Sequence, residues 1–228
     1  MSIPPCAEIP TGSFLMGGIP EDKFVSSVEL PQHKVAIGNR FAMGVFPVTR
    51  REWFEVTGEN PTDSTLPVTG IDFRQISRFL RLLSDQSGRQ LRLPSEAEWE
   101  YACRGSSVTI FPGGNSLDAS QANFLYDESG GEVGLGSTTP VGHYPPNTLG
   151  LHDMPGNVCE WTADAWHPDF HDAPADGSPW LEGGKPGCRV IRGGAWDHLP
   201  RVLRASWRDW APESARWDNL GFRVALTL

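Results

Sequence analysis

The sequence predicts one α+β domain with little regular structure and long loops. Three observations carry this reading. Glycine and proline are abundant, at 25 and 20 of 228 residues, which favours turns over a helical bundle. Three segments open with residue pairs that cap helices. Several short apolar segments alternate with a period near two, as half-buried strands do.

In chain order, SFLMGG (13–18) and KVAIGNRFAMGVFPVT (34–49) read as strands. TRREWFEV follows, with Thr49 at the N-cap and Glu52 three residues on, where each side chain satisfies the other's free backbone N–H. DFRQISRFLRLLSDQSG repeats the device with Asp72 and Gln75. Its Ile76, Phe79, Leu80 and Leu83 recur at helical spacing, and Gly88 marks the stop. PSEAEWEYACRG does so again with Ser95 and Glu98, and places Trp99 and Cys103 on one face. CRVIRGGAW and LGFRVALTL read as two further strands, the second ending the chain. Between about 104 and 188 lies a tract rich in Gly, Pro, Asn and Asp, a length of irregular chain that a compact domain pins with a metal or a functional site. No repeat or composition break divides the chain, so one domain over 1–228 is expected.

The formal charge of −9 and the absence of any basic run argue against a nucleic-acid partner. No run approaches the ~18 apolar residues of a membrane span, and the first residues lack the basic and apolar regions of a signal peptide, so a cytoplasmic protein is expected. Cys6, Cys103, Cys159 and Cys188 show no CxxC spacing; a Cys159–Cys188 bridge stays open. Nine tryptophans point to a Trp-rich core or to Trp-lined binding surfaces.

Six blocks in order carry a resemblance: PTGSFLMGG, PQHKVAIGNRFAMGVFPVTRREW, LRLPSEAEWEYACRG, GLHDMPGNVCEW, RVIRGGAW and RASWRDWAPESARWDNLGFRVAL. The chain resembles the formylglycine-generating enzyme and sulfatase-modifying-factor family from end to end. The resemblance implies a single α+β domain of the C-type-lectin type, with N- and C-terminal strands meeting. It also implies a choice of functions, since the family includes copper oxidases, domains of iron-dependent sulfoxide synthases, ligand binders diversified by retroelements, and accessory proteins.

The copper oxidases hold Cu(I) on two cysteines of the last block, as a soft ion prefers. Here residues 189–228 contain no cysteine; one position falls at or near Leu203 and the other within 197–200. No copper and no formylglycine generation by that route are expected. The iron route needs an HxxxHxE triad; WHPDFHD offers His167 and His171, but Pro168 lies between them and the third position is Ala173. The expected function is therefore accessory or non-catalytic: binding of a protein or small ligand, with no nucleic acid or membrane partner. The resemblance places that surface on Trp196, Asp197, His198, Arg204, Trp207, Arg208, Trp210, Arg216 and Trp217, since guanidinium groups suit carboxylates and indole faces suit flat or cationic groups. The alternative for the same residues is that the arginines pair with core acids and the tryptophans pack. A divergent oxidoreductase using another or a partner-supplied metal is the second class. Retroelement diversification is the third; variation from AAC codons cannot produce Trp or Glu, so Trp207, Trp210, Glu213 and Trp217 speak against it.

The resemblance further implies structural calcium. One site would use Asp153 and Glu160 with carbonyls of Gly156 and Val158. A second would use Asn123 with carbonyls of Phe124 and Leu135, where the family's acid falls at or near Val133, beside Glu132. In this reading the segment GLHDMPGNVCEWTADAW is scaffold, with Trp161 a core anchor and Cys159 buried.

Overall fold

In the computed structural model, which describes residues 3–60, 62 and 64–228, the chain runs through β1 (Cys6–Ile9), β2 (Gly12–Met16), β3 (His33–Ile37), β4 (Phe41–Gly44), α1 (Arg50–Thr57), α2 (Phe73–Ser87), β5 (Leu91–Arg92) and α3 (Glu96–Arg104). It then continues through β6 (Cys159–Trp166), β7 (Lys185–Arg192), β8 (Arg208–Pro212), β9 (Leu220–Gly221) and β10 (Ala225–Thr227). The three capping boxes form as their spacing requires. Glu52 N–H donates to Thr49 Oγ1 at 3.1 Å and Thr49 N–H to Glu52 Oε2 at 2.8 Å; Asp72–Gln75 and Ser95–Glu98 make the same reciprocal pairs. Gly58, Gly88 and Gly105 end the helices in the left-handed conformation.

The strands form two four-stranded sheets, β1-β4-β10-β5 and β8-β7-β6-β9, and a β2-β3 ribbon. The first and last strands meet on either side of β4, Cys6 opposite Gly44 and Ala225 opposite Met43, which ties the chain ends into one sheet. Trp53 stacks on Phe79 at 5.2 Å, and Phe222 meets both rings edge-on, so α1, α2 and the last block share one core.

The structure departs from the sequence expectation in three places. The run 34–49 is two strands, separated at Gly38–Arg40, and LGFRVALTL splits into β9 and β10. The tract after 104 is irregular to residue 158 and again from 167 to 184; CEWTADAW between them is strand β6. It is buried on nearly every residue, so the alternation that marks a half-buried strand is missing.

A buried ionic frame connects these parts. Glu96 and Glu100, one turn apart on α3, receive arginines from distant segments. Arg192 donates to Glu96 at 3.0 Å and to Glu100 at 2.6 Å; Arg208 donates to both oxygens of Glu96 at 2.6 and 2.8 Å; Arg104 donates to Glu100 at 2.9 Å. These five side chains are nearly or wholly excluded from solvent. Asp164 on β6 adjoins them, accepting from Glu96 N–H at 2.6 Å and Trp180 N–H at 2.8 Å.

Burial, helped by the Glu96 charge, pushes the Asp164 carboxyl up to about 7 from its ordinary 3.8. A raised folded-state value means that the folded chain binds this proton more tightly than the unfolded chain. The stabilisation is full below about pH 4 and is lost as pH rises to about 7. Thermal melts should therefore show the wild type losing stability between about pH 4 and 7 relative to Asp164→Asn, each kcal/mol appearing as about 2–4 °C. Parallel pH profiles for the two proteins would contradict the assignment.

Candidate functional site

The last block begins where β7 ends in Gly193–Gly194. Both adopt positive φ, and a Cβ on Gly194 would lie 2.7 Å from Leu203 Cδ1 and 2.8 Å from the Val202 carbonyl. Only glycine lets the chain turn there and fold the 196–204 loop back over itself.

Beyond this turn three predicted residues come together. Asp197 accepts from Asn219 Nδ2 at 3.0 and 3.1 Å. His198 Nε2 lies 3.9 Å from Asp197 Oδ1, and its ring meets Trp207 edge-on at 6.1 Å. His198 Nδ1 accepts the Ala195 N–H at 3.2 Å, so the neutral ring carries its proton on Nε2. Burial holds the His198 pKa below 6.5 against the opposing pull of Asp197 and Asp209. The imidazole is thus a neutral hydrogen-bond donor at pH 7, flanked by two carboxylates and an indole. Asn219 and Asp209 complete this face, and nothing in their sequence context marked them.

The other predicted ligand-binding residues go elsewhere. Arg204 is buried, donating to Asp22 at 2.6 Å and to both oxygens of Glu29 at 2.8 Å. Arg208 is buried on Glu96 and lies over the rings of Trp166 and Phe170 at 4.6 and 4.3 Å. Neither guanidinium meets solvent, so both leave the expected ligand surface; their donors are used by core acids and carbonyls. Strand alternation along β8 sends Trp210 to the side opposite Trp207, where Lys185 Nζ sits 3.1 Å from its ring centroid. Arg216 is exposed on Asp72, the N-cap of α2, at 2.7 Å, and Trp217 is exposed nearby in the chain. Trp196 is half-buried, its N–H on the Asn157 carbonyl at 3.1 Å.

The residues expected to hold calcium are buried, except for Leu135. Asp153 Oδ2 accepts from Gly142 N–H at 2.8 Å, while Oδ1 is buried without a partner. Burial raises the Asp153 pKa above 3.8. Asn123 Nδ2 donates to Ser137 and Asn157, and its Oδ1 is likewise buried and unpartnered. Buried oxygens without donors suit a hard cation. Glu160 differs: both its oxygens bind Arg223, at 2.6 and 2.7 Å, and one also accepts from Trp99 Nε1 at 2.7 Å. The Gly156 carbonyl accepts from Val158 N–H at 2.8 Å, Phe124 is buried, and Leu135 and Glu132 are exposed. Among the described residues no group of three or more His, Cys, Asp or Glu is placed to hold a metal, so any cation here relies on amide and carbonyl oxygens.

All four cysteines are unpaired. Burial pushes Cys103 up to about 12 and Cys159 well above 9, the latter reinforced by Asp197, Asp209 and Glu160. His167, buried with its ring stacked on Trp180 at 3.5 Å, and exposed His171 do not share a site.

Comparison with known proteins follows this geometry. The family model of the sulfatase-modifying factor enzyme 1-like domain matches residues 2–228. The chain belongs to this family. The formylglycine-generating enzyme of Mus musculus is 37% identical over 148 residues, covering 59% of this chain and 38% of that one. The inactive C-alpha-formylglycine-generating enzyme 2 of Mus musculus is 34% identical over 151 residues, covering 60% and 43%. The structure of PvdO from Pseudomonas aeruginosa superposes with a TM-score of 0.87 at 33% identity, covering 99% of this chain and 95% of that one. The chain spans about a fifth to two fifths of the length of the curated relatives it matches. Among the described residues no helix is long and apolar enough to cross a membrane.

The different settings of the arginines have measurable consequences. Arg204→Met should cost roughly 3–5 kcal/mol in chemical denaturation, because it strands Asp22 and Glu29 in the interior. Arg216→Ala, at an exposed pair, should cost about 1 kcal/mol or less. Similar losses for the two variants would contradict the placement.

Proposed function

We propose that this chain is a non-catalytic, ligand-binding member of its family and that the ligand meets the face formed by Asp197, His198, Trp207, Asp209 and Asn219. One observation carries the reading. Where the resemblance puts the family's two copper thiolates, this chain has a buried Leu203 and the cysteine-free stretch 197–200, and the buried Cys103 and Cys159 are held as thiols. A soft monovalent metal finds no thiolate pair there. The face offers a donor at His198 Nε2, two carboxylates and an aromatic edge, a set that suits a ligand carrying both a cationic and a hydrogen-bond-accepting group. The ligand is a protein or small molecule. Nucleic acid is disfavoured by the charge, and the unpaired thiols fit a reducing compartment such as the cytoplasm.

Metal analysis of the purified protein should find little copper or iron, and the protein should consume no oxygen with a cysteine peptide. Stoichiometric copper with peptide oxidation would overturn the reading. Trp207→Ala should weaken capture of a partner drawn from the native host at least about fivefold with folding intact. An unchanged affinity together with a lowered Tm would return Trp207 to the core.

Structural calcium belongs to the same proposal. Asp153 and Asn123 supply the unpartnered oxygens, with the carbonyls of Gly156, Val158, Phe124 and Leu135 and a shared oxygen of Glu160 completing the two expected sets. A calcium chelator should lower the Tm by several degrees, reversed by added calcium, and Asp153→Asn should blunt the response. A Tm indifferent to chelator would remove calcium from the account.

A further inference from the structure

On another side of the 196–204 loop, the molecule has a cleft of about 510 Å³, within the usual range for small-molecule sites. Three loops enclose it: the 21–24 segment, the irregular tract around 110–133, and the short turn Pro200–Val202 with Arg201 and Arg204. Its floor is apolar, formed by Phe24, Phe111, Phe124 and Leu117, and Val133 on its lip is 44% exposed. An apolar floor of this size open to water gains free energy when a flat hydrophobic group covers it.

The charges around it are not balanced. Five carboxylates and three cations line the cleft. Arg204 is spent on Asp22 at 2.6 Å and Arg201 on Glu128 at 3.1 Å. That leaves Glu21, Asp118 and Asp127 against Lys23 alone. Among the described residues, Asp118 and Asp127 accept hydrogen bonds from their own turns, through Ser120 and through Ser129 and Gly131, and those bonds hold their pKa values below 3.8. They stay ionised at pH 7. The aromatic floor also favours cations: Lys23 Nζ and the Arg201 guanidinium lie 4.9 and 5.2 Å from the Phe24 centroid.

We propose that this cleft binds a small arylalkylammonium ion, its ring on the Phe24–Phe111–Leu117 floor and its ammonium facing Glu21 and Asp118. The site does not depend on the Asp197–His198–Trp207 face. Lys23, over the same ring, competes with the ligand's charge.

Three indoles that differ only in the tail charge test this by calorimetry: tryptamine, tryptophol and indole-3-propionate. Tryptamine should bind one-to-one, about tenfold more tightly than tryptophol, with indole-3-propionate weakest. Glu21→Gln and Asp118→Asn, isosteric changes at exposed positions, should each weaken tryptamine about two- to fivefold and leave tryptophol unchanged. Lys23→Ala should tighten tryptamine by a similar factor. Trp207→Ala should not alter it, which separates this outcome from the fate of the face proposed above. Equal binding of the three indoles, indifference to both carboxylate substitutions, weaker binding in Lys23→Ala, or loss in Trp207→Ala would each overturn the assignment.

Discussion

The fold depends on two glutamates one turn apart on one helix. Glu96 and Glu100 gather Arg192 from the end of β7, Arg208 from the start of β8 and Arg104 from α3 itself. The same guanidinium groups then tie down carbonyls that no strand satisfies. Arg192 donates to Ala205 and Ser206, Arg208 to Val28 and His167, and Arg104 to Gly17 and Thr109. A chain with short strands has many unpaired backbone groups to satisfy, and here buried side chains do that work. Such ion pairs add little net stability over apolar packing, yet losing one partner leaves a bare charge in the interior. Their contribution is to permit one arrangement of loops and penalise others.

This explains what the sequence revealed and what it hid. Local chemistry was legible. Thr49–Glu52, Asp72–Gln75 and Ser95–Glu98 each specify a helix start within four residues, and all three formed. The ordered blocks gave the family and the α+β fold. Arg204, Arg208 and Arg216 look alike in sequence, but the first two are buried and the third is exposed. Their partners decide this, and those lie 175 to 182, 112 and 144 residues away in the chain. No local pattern encodes such distances. Trp207 and Trp210 were separable in principle, since three positions along a strand place them on opposite faces. The separation needed β8 to be recognised as a strand, and its polar Arg-Asp-Trp run hid that.

The irregular tract between α3 and β6 follows the same logic with amides in place of charges. Asn157 accepts from Thr139 N–H and Asn123 Nδ2 and donates to the Thr139 carbonyl, while Asn123 reaches Ser137. Gly156 brings its backbone against Asn123 so closely that a Cβ would lie 2.4 Å from that carbonyl. Two asparagines and a glycine thus clamp chain segments more than thirty residues apart in sequence. Three oxygens of this region, on Asn123, Thr139 and Asp153, are left buried without a partner among the described residues. A cation there would complete a network already organised without it.

Frame and surface are separate in the last block. The arginines and carboxylates that hold the last block in place are buried. Leu203 packs with Phe111, Ala122 and Phe124 and joins the apolar interior. An alkyl side chain at this position adds apolar burial to the interior. Asp197, His198, Pro200 and Arg201 lie on one loop, so the face and the cleft proposed above share one support. The frame keeps the loop's shape, and in both proposals the side chains it carries set what is bound.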